Sequence, residues 1–159
     1  MDTAAPATPP SPSPSAVGRV VALYNCAAGL LDRLQPLAAL AIRLYIAKVF
    51  FTSGLLKAER WDSTLALFAN EYHVPVLSPQ VAAVLGTSAE LGLPVLLLLG
   101  IGSRAAALAL FVFNVVAVVS YPDLSPAGLK DHILWGALLL VLAIHGPGRF
   151  ALDRWLGAR

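Results

Sequence analysis

The chain has 159 residues, 58% of them hydrophobic and 13% charged, with a formal net charge of +2. That balance excludes a soluble domain of this size, whose surface would need far more polar residues, and gives no basic patch large enough for nucleic acid. A single cysteine, Cys26, excludes an internal disulfide or a dithiol relay built from this chain alone.

Residues 1–15 are Pro-, Ser- and Ala-rich and predict a disordered tail. Asp2, with no basic stretch and apolar run behind it, does not read as the start of a signal peptide. Residues 16–35 predict an amphipathic helix lying in the membrane interface. Arg19, Cys26 and Arg33 recur on one face, with Val20, Val21, Tyr24, Ala28 and Leu31 on the other. A docking helix for a protein partner is the alternative for the same pattern.

From residue 36 onward the chain reads as one all-α membrane domain, 36–159. Its four apolar spans, about 37–56, 81–99, 104–120 and 129–145, each approach the ~20 residues needed to cross the hydrocarbon. Pro36 suits the first turn of the first span. The polar segment 57–78 carries Leu65, Phe68 and Tyr72 on one face, which predicts a short surface helix before the break at Pro75. The connection 100–103 is so short that the second and third spans must be antiparallel neighbours. A turn around Tyr121, Pro122, Asp123 and Pro126 leads to the fourth span, and Gly146-Pro147-Gly148 ends it. Arg149, Asp153, Arg154 and Trp155 predict a basic, aromatic tail at the interface. An antiparallel four-helix bundle is the simplest packing of these spans.

Arg19, Arg33, Arg43, Arg104, Arg149, Arg154 and Arg159 fall on the side of the termini. Lys57, Arg60 and Lys130 fall on the other, which places both termini in the cytoplasm.

Few charges lie within the spans, and a charge at the bilayer centre costs about 2.5 kcal/mol or more. At ~1.5 Å of rise per residue, Arg43 sits about 9 Å inside the first span and Lys48 about 7 Å deeper, with Glu90 between them in depth. Arg43 is the expected partner of Glu90, because its guanidinium meets a carboxylate bidentately. Lys48 lies about 140° round the helix from Arg43, so only one of the two faces Glu90 squarely. Two readings stay open: a structural pair fixing helix register, or a polar cavity that binds a quinone-like or anionic ligand or relays a proton. Arg43, Ala47, Phe50, Gly54 and Lys57 share one face, and Thr52 and Ser53 add polarity to it. Asn114 in the third span can hydrogen-bond across the bundle.

His132 and His145 are ~20 Å apart on one helix and cannot share a haem. His73 paired with His132 is the remaining geometric option, but His73 sits on a segment free to move, and helix-end hydrogen bonding is the ordinary role of such histidines. One Cys and one Met give copper little to hold. No haem or metal site is expected.

The runs RLYIAKVFFTSGLLK (43–57), AELG (89–92), LLLLGIGSR (96–104), LKDHILWG (129–136) and GPGRFALD (146–153), in this order, resemble the DoxX family over about residues 37–156. The segment WDSTLALFANEYHVPVLSP resembles the branch found in proteobacteria. The resemblance implies a four-helix inner-membrane protein whose recurrent polar positions are Arg43, Ser53, Gly54, Lys57, Glu90, Arg104 and His132. It further implies a link to quinone or thiol redox systems, and for this branch an association with small copper-related peptides.

The expected function is therefore that of a redox-associated inner-membrane subunit, an accessory rather than a stand-alone enzyme, with quinone as the possible cofactor. A membrane helper for export or maturation of a small secreted or copper-related peptide, and a small-solute transporter, are the alternatives. The expected ligand-binding or buried polar cluster is Arg43, Lys48, Ser53, Lys57, Glu90, Asn114 and His132. The lipid bilayer is the expected partner, with a protein partner possible at the N-terminal helix or the segment 57–78.

Overall fold

The computed structural model describes residues 16–146 and 151–155, and of residues 154 and 155 the backbone alone. The tail expected at 1–15 lies outside the described residues, as do Arg149 and the side chains of Arg154 and Trp155. The chain divides into two units, Met1–Leu34 and Gln35–Arg159. In the first, the described residues belong to the opening part of α1 (Ala16–Glu59), exposed apart from Ala28 and Gly29.

α1 does not stop at Pro36, as the expected boundary between interfacial helix and first span implied; Pro36 lies inside one 44-residue helix. A proline removes its own N–H from the ladder and crowds the carbonyl four residues back, and apolar helices tolerate that where neighbours re-satisfy the backbone.

The second unit holds the rest of α1, then α2 (Trp61–Asn70), α3 (Pro79–Leu99), α4 (Ser103–Ser120), α5 (Pro126–His145) and the short α6 (Leu152–Trp155). Among the described residues, α1, α3, α4 and α5 are the four helices long and apolar enough to cross a membrane. α2 is the short helix expected in 57–78. Two helices begin on the same device: Ser78 and Ser125 each turn a hydroxyl onto an N–H of the first turn, and a proline follows in the position where a missing N–H costs nothing. This is why α5 begins three residues before the predicted start of the fourth span; Pro126 opens the helix instead of ending a turn.

The four long helices close into a ring with an apolar centre of Ile46 and Phe50 from α1, Leu97 from α3, Ala106, Ala107 and Leu110 from α4, and Leu139 and Leu142 from α5. Edge-on contacts of Phe50 with Phe113 (6.2 Å) and Trp135 (5.8 Å) join α1 to α4 and α5. α1 meets α3 at Gly54, where an added Cβ would come within 2.8 Å of the Glu90 Cβ, so only glycine permits this approach. Large apolar side chains such as Val84, Val112, Val119, Ile133 and Ile144 point outward. This inverts the soluble pattern and suits a surface solvated by lipid.

A second apolar cluster packs α2 onto α3: Phe68 lies against Ala82 and Ala83, flanked by Trp61, Leu65, Tyr72 and Val74. This arrangement covers the end of the bundle near α2.

Candidate functional site

Gly54 brings α1 against Glu90, and the residues one position before and three after it supply the polar partners. Lys57 donates to both carboxylate oxygens of Glu90, at 2.8 and 2.7 Å, and to Ser53 Oγ at 2.8 Å; Ser53 in turn donates to Glu90 at 3.1 Å. All three ammonium protons have acceptors. The pair is shielded, with side-chain exposures of 16% for Lys57 and 8% for Glu90. Lys57 is thus the partner of Glu90, and the expected Arg43–Glu90 pair does not form. Arg43 is eleven residues before Gly54, or roughly 16 Å along the helix axis, and in an antiparallel pair that offset carries it to the far end of α3.

There Arg43, 1% exposed, donates through Nε to the Leu97 carbonyl at 2.9 Å and through Nη2 to the Leu98 carbonyl. A helix C-terminus leaves such carbonyls without donors, and a cation there also complements the helix dipole. Gly100, at φ 75°, ends the helix in the left-handed conformation and takes the Leu96 carbonyl. Any Cβ on Gly100 would meet the Ala151 backbone at 2.6 Å. The C-terminal segment is folded onto this turn: Asp153 accepts from the Gly102 and Ser103 N–H groups, both at 2.7 Å, and its own N–H donates to the Gly100 carbonyl. The Ser103 N–H first, with help from Gly102 and the Arg43 charge, holds the Asp153 carboxyl below the usual range despite an opposing effect of burial. Asp153 thus caps the start of α4.

Asn114 and His132 form a separate bridge between α4 and α5. Asn114 donates to the His132 carbonyl at 2.9 Å and its Oδ1 lies 2.7 Å from His132 Nδ1. Lys48 belongs to neither group. It is exposed on the outer face of α1, which corrects its place in a buried cluster. The seven expected residues therefore resolve into Ser53–Lys57–Glu90, Asn114–His132, Arg43 and Lys48. His145 sits at the end of α5, its Nδ1 3.1 Å from the Val141 carbonyl.

Beside the Lys57–Glu90 pair lies a cavity of about 350 Å³ between α2, α3 and α4. Its walls are apolar (Phe68, Ala82, Gly86, Ala89, Phe113 and Ala117 among them), with Lys57, Glu90, Tyr72 and Ser120 as the polar exceptions. Leu77, Leu85 and Val116 line it while also exposed on the outside of the bundle, so it opens sideways. The Ser120 hydroxyl is buried without a hydrogen-bond partner.

Tyr72 is held by a stack of three rings, 4.9 Å from Phe68 and 5.0 Å from Tyr121, and Tyr121 donates to Glu71 at 2.9 Å. The His73 N–H donates to the Ser120 carbonyl at 2.7 Å, and Thr64 Oγ1 to the Lys57 carbonyl at 2.9 Å. Four attachments thus fasten the segment after α1 over the cavity. Burial, then the negative charge of Glu90, pushes the Tyr72 phenol up to about 12, so it stays a hydrogen-bond donor at physiological pH. Sequence reasoning placed Tyr72 with Leu65 and Phe68 on one helical face but gave it no role at a site. It also left Ser120 out, since a serine ending a span carries no pattern of its own.

The DoxX family model matches residues 38–122, a stretch holding Ser53, Lys57, Tyr72, Glu90 and Asn114 and ending before His132. Over 132 residues the chain is 30% identical to Inner membrane protein YphA of Escherichia coli (strain K12), covering 76% of this chain and 91% of that protein. No solved structure matches the chain.

Proposed function

This chain belongs to the DoxX family, and on that premise we propose that it is a multi-pass protein of the bacterial inner membrane, both termini cytoplasmic, that holds a quinone-like molecule as a redox-associated subunit. The location is supported by the name of its Escherichia coli relative and by its four apolar helices. The orientation is supported by the excess of Arg on the side of the termini.

The observation that carries the ligand reading is the cavity beside Lys57 and Glu90. Its volume of about 350 Å³ is ligand-sized, its walls are apolar and it opens sideways, as a lipid-soluble molecule requires. A quinone offers carbonyl oxygens that need donors. Lys57 has none to spare while Glu90 and Ser53 hold it, so the hydroxyls of Tyr72 and Ser120 are the donors on the wall. Glu90 is the acceptor on the same wall. When bound, a quinone supplies two-electron chemistry; this chain orients the ring and keeps water away. Cys26 is exposed and lone, so an electron partner must come from another protein.

The test is to purify the protein from its native membrane and quantify co-purifying quinone by mass spectrometry. Wild type should retain it, Ala89→Trp, which fills the cavity, should lose it, and Tyr72→Phe should retain less. Absence of quinone from the wild type, or equal retention in Ala89→Trp, would overturn the reading.

A further inference from the structure

The opening part of α1, residues 16–34, belongs to a unit of its own, and its apolar side chains stand open: Val17, Leu23 and Tyr24 are each 72% exposed. These side chains form one continuous arc. At about 100° per residue it runs from Leu30 and Leu23 at one edge, through Val20 and Leu31, to Val21 at the other, roughly half of the circumference. Arg19, Asn25, Cys26, Asp32 and Arg33 occupy the other half.

The arc does not continue the face that α1 turns into the bundle. About eighteen residues make five whole helical turns. Carried back by that distance, the buried Arg43, Ala47 and Phe50 fall on Asn25, Gly29 and Asp32. Nor does it repeat most of the outward face, since Leu37, Leu44 and Phe51 fall on Arg19, Cys26 and Arg33. Only the edge around Tyr45 carries over, onto Ala27. The helix before Pro36 therefore has an apolar face in a phase of its own, and that face needs its own apolar surroundings.

A second copy covers it poorly. Val17, Val20, Tyr24, Ala27, Leu31 and Leu34 keep the alternating spacing of a coiled-coil seam. The flanking positions of that seam hold Val21, Leu23, Ala28 and Leu30, where a two-stranded coil carries the charges that set its pairing. The arc is too wide for such a seam and has the even division of a helix at a boundary between water and hydrocarbon. The bilayer is also the surface nearest to hand, because the chain enters its first span directly after this segment. Pro36 provides the place to turn: it withholds the N–H that would bond the Asp32 carbonyl and crowds that carbonyl. Arg19 borders the arc beside Leu30, a position from which a long basic side chain reaches lipid phosphate.

We propose that residues 16–34 are a membrane-surface anchor. They lie along the leaflet on the side of the N-terminus, with the arc around Val20 and Leu31 sunk about 5–10 Å into the boundary of headgroups and acyl chains, and with Cys26 in water. The inference uses neither the cavity beside Glu90 nor its ligand, and it stands or falls independently of quinone binding.

Cys26 is the chain's one cysteine and is exposed, so nitroxide labels can be placed singly in the full-length protein. The protein is reconstituted in vesicles of phosphatidylcholine and phosphatidylglycerol. One sample is labelled at Cys26. The others carry Cys26→Ser with Val20→Cys, Ala27→Cys or Leu31→Cys on the arc, or with Ala22→Cys or Gly29→Cys opposite it. None of these positions is buried, and a Cβ at Gly29 meets nothing within 4 Å. Collisions with dissolved oxygen should dominate at 20, 27 and 31, at a depth of about 5–10 Å. Collisions with a water-soluble nickel chelate should dominate at 22, 26 and 29.

Equal access of the nickel chelate to all six positions would mean a helix standing in water and would overturn the proposal. Spin–spin broadening at Val20→Cys and Ala27→Cys would assign the arc to a second copy. Shielding of 20, 27 and 31 from both reagents would assign it to another protein. Either result would overturn the proposal as well.

Discussion

Replacing Lys57 with Met isolates the Ser53–Lys57–Glu90 cluster energetically. The substitution keeps the apolar stem and removes three hydrogen bonds of 2.7–2.8 Å. At the ~0.6 kcal/mol average for contacts between membrane helices, those bonds alone total roughly 2 kcal/mol. The orphaned carboxylate raises that total, since removing one partner of a buried pair costs about 3–5 kcal/mol with the lost bonds included, and Glu90 is only 8% exposed at its side chain. A loss of about 3 kcal/mol is expected for Lys57→Met and a similar one for Glu90→Leu. The double variant leaves no charge behind and should lose under about 1 kcal/mol, because two apolar side chains can replace a buried pair almost neutrally. The assay is reversible unfolding in mixed micelles, run as a double-mutant cycle. Single losses below about 0.5 kcal/mol that simply add would refute the reasoning, because they would mean the two side chains do not interact.

Gly54→Ala should lose about 1–3 kcal/mol through overpacking, measured in the same micelles, because the new Cβ meets Glu90 atoms at 2.8 and 3.1 Å; a neutral result would mean that α1 and α3 part freely. The hydrogen bonds that hold the Asp153 carboxyl below its ordinary value of 3.8 favour the folded turn at higher pH, and that contribution disappears as pH falls through the depressed value. The Gly102 and Ser103 amide resonances should therefore titrate with a midpoint below 3.8, and a midpoint at or above it would refute the cap. Val76 is fully exposed with φ at 70°, a strained conformation for a β-branched residue. Val76→Gly should raise stability by about 1 kcal/mol, and a lower unfolding midpoint would show that the side chain has a contact of its own.

The four spans, their antiparallel order and the short α2 were legible in the sequence because hydropathy and turn chemistry act over neighbouring residues. A 20-residue apolar run needs no distant partner to be recognised, and Ser-Pro at 78–79 announces a helix start by itself. Glu90, Ser53 and Lys57 were also visible as polar residues in or beside apolar surroundings.

Which cation meets Glu90 was not legible. That depends on how far α1 runs past its apolar stretch, on the rotation of two helices about their axes and on their axial offset, and the last two are fixed where Gly54 fits against Glu90. Extending α1 to Glu59 brings Lys57 inside the bundle, whereas counting depth from the end of the apolar run left it outside and favoured Arg43. The role of Arg43 needed the fold as well, since the α3 carbonyls it bonds are 54 and 55 residues away in sequence. The cavity was equally out of reach, because its walls come from α2, α3 and α4 and exist only once those helices pack. Local patterning thus determined the elements and their membrane setting, while the contacts between elements, set by shape at glycine-sized gaps, decided which charges pair and which, like Lys48, face outward.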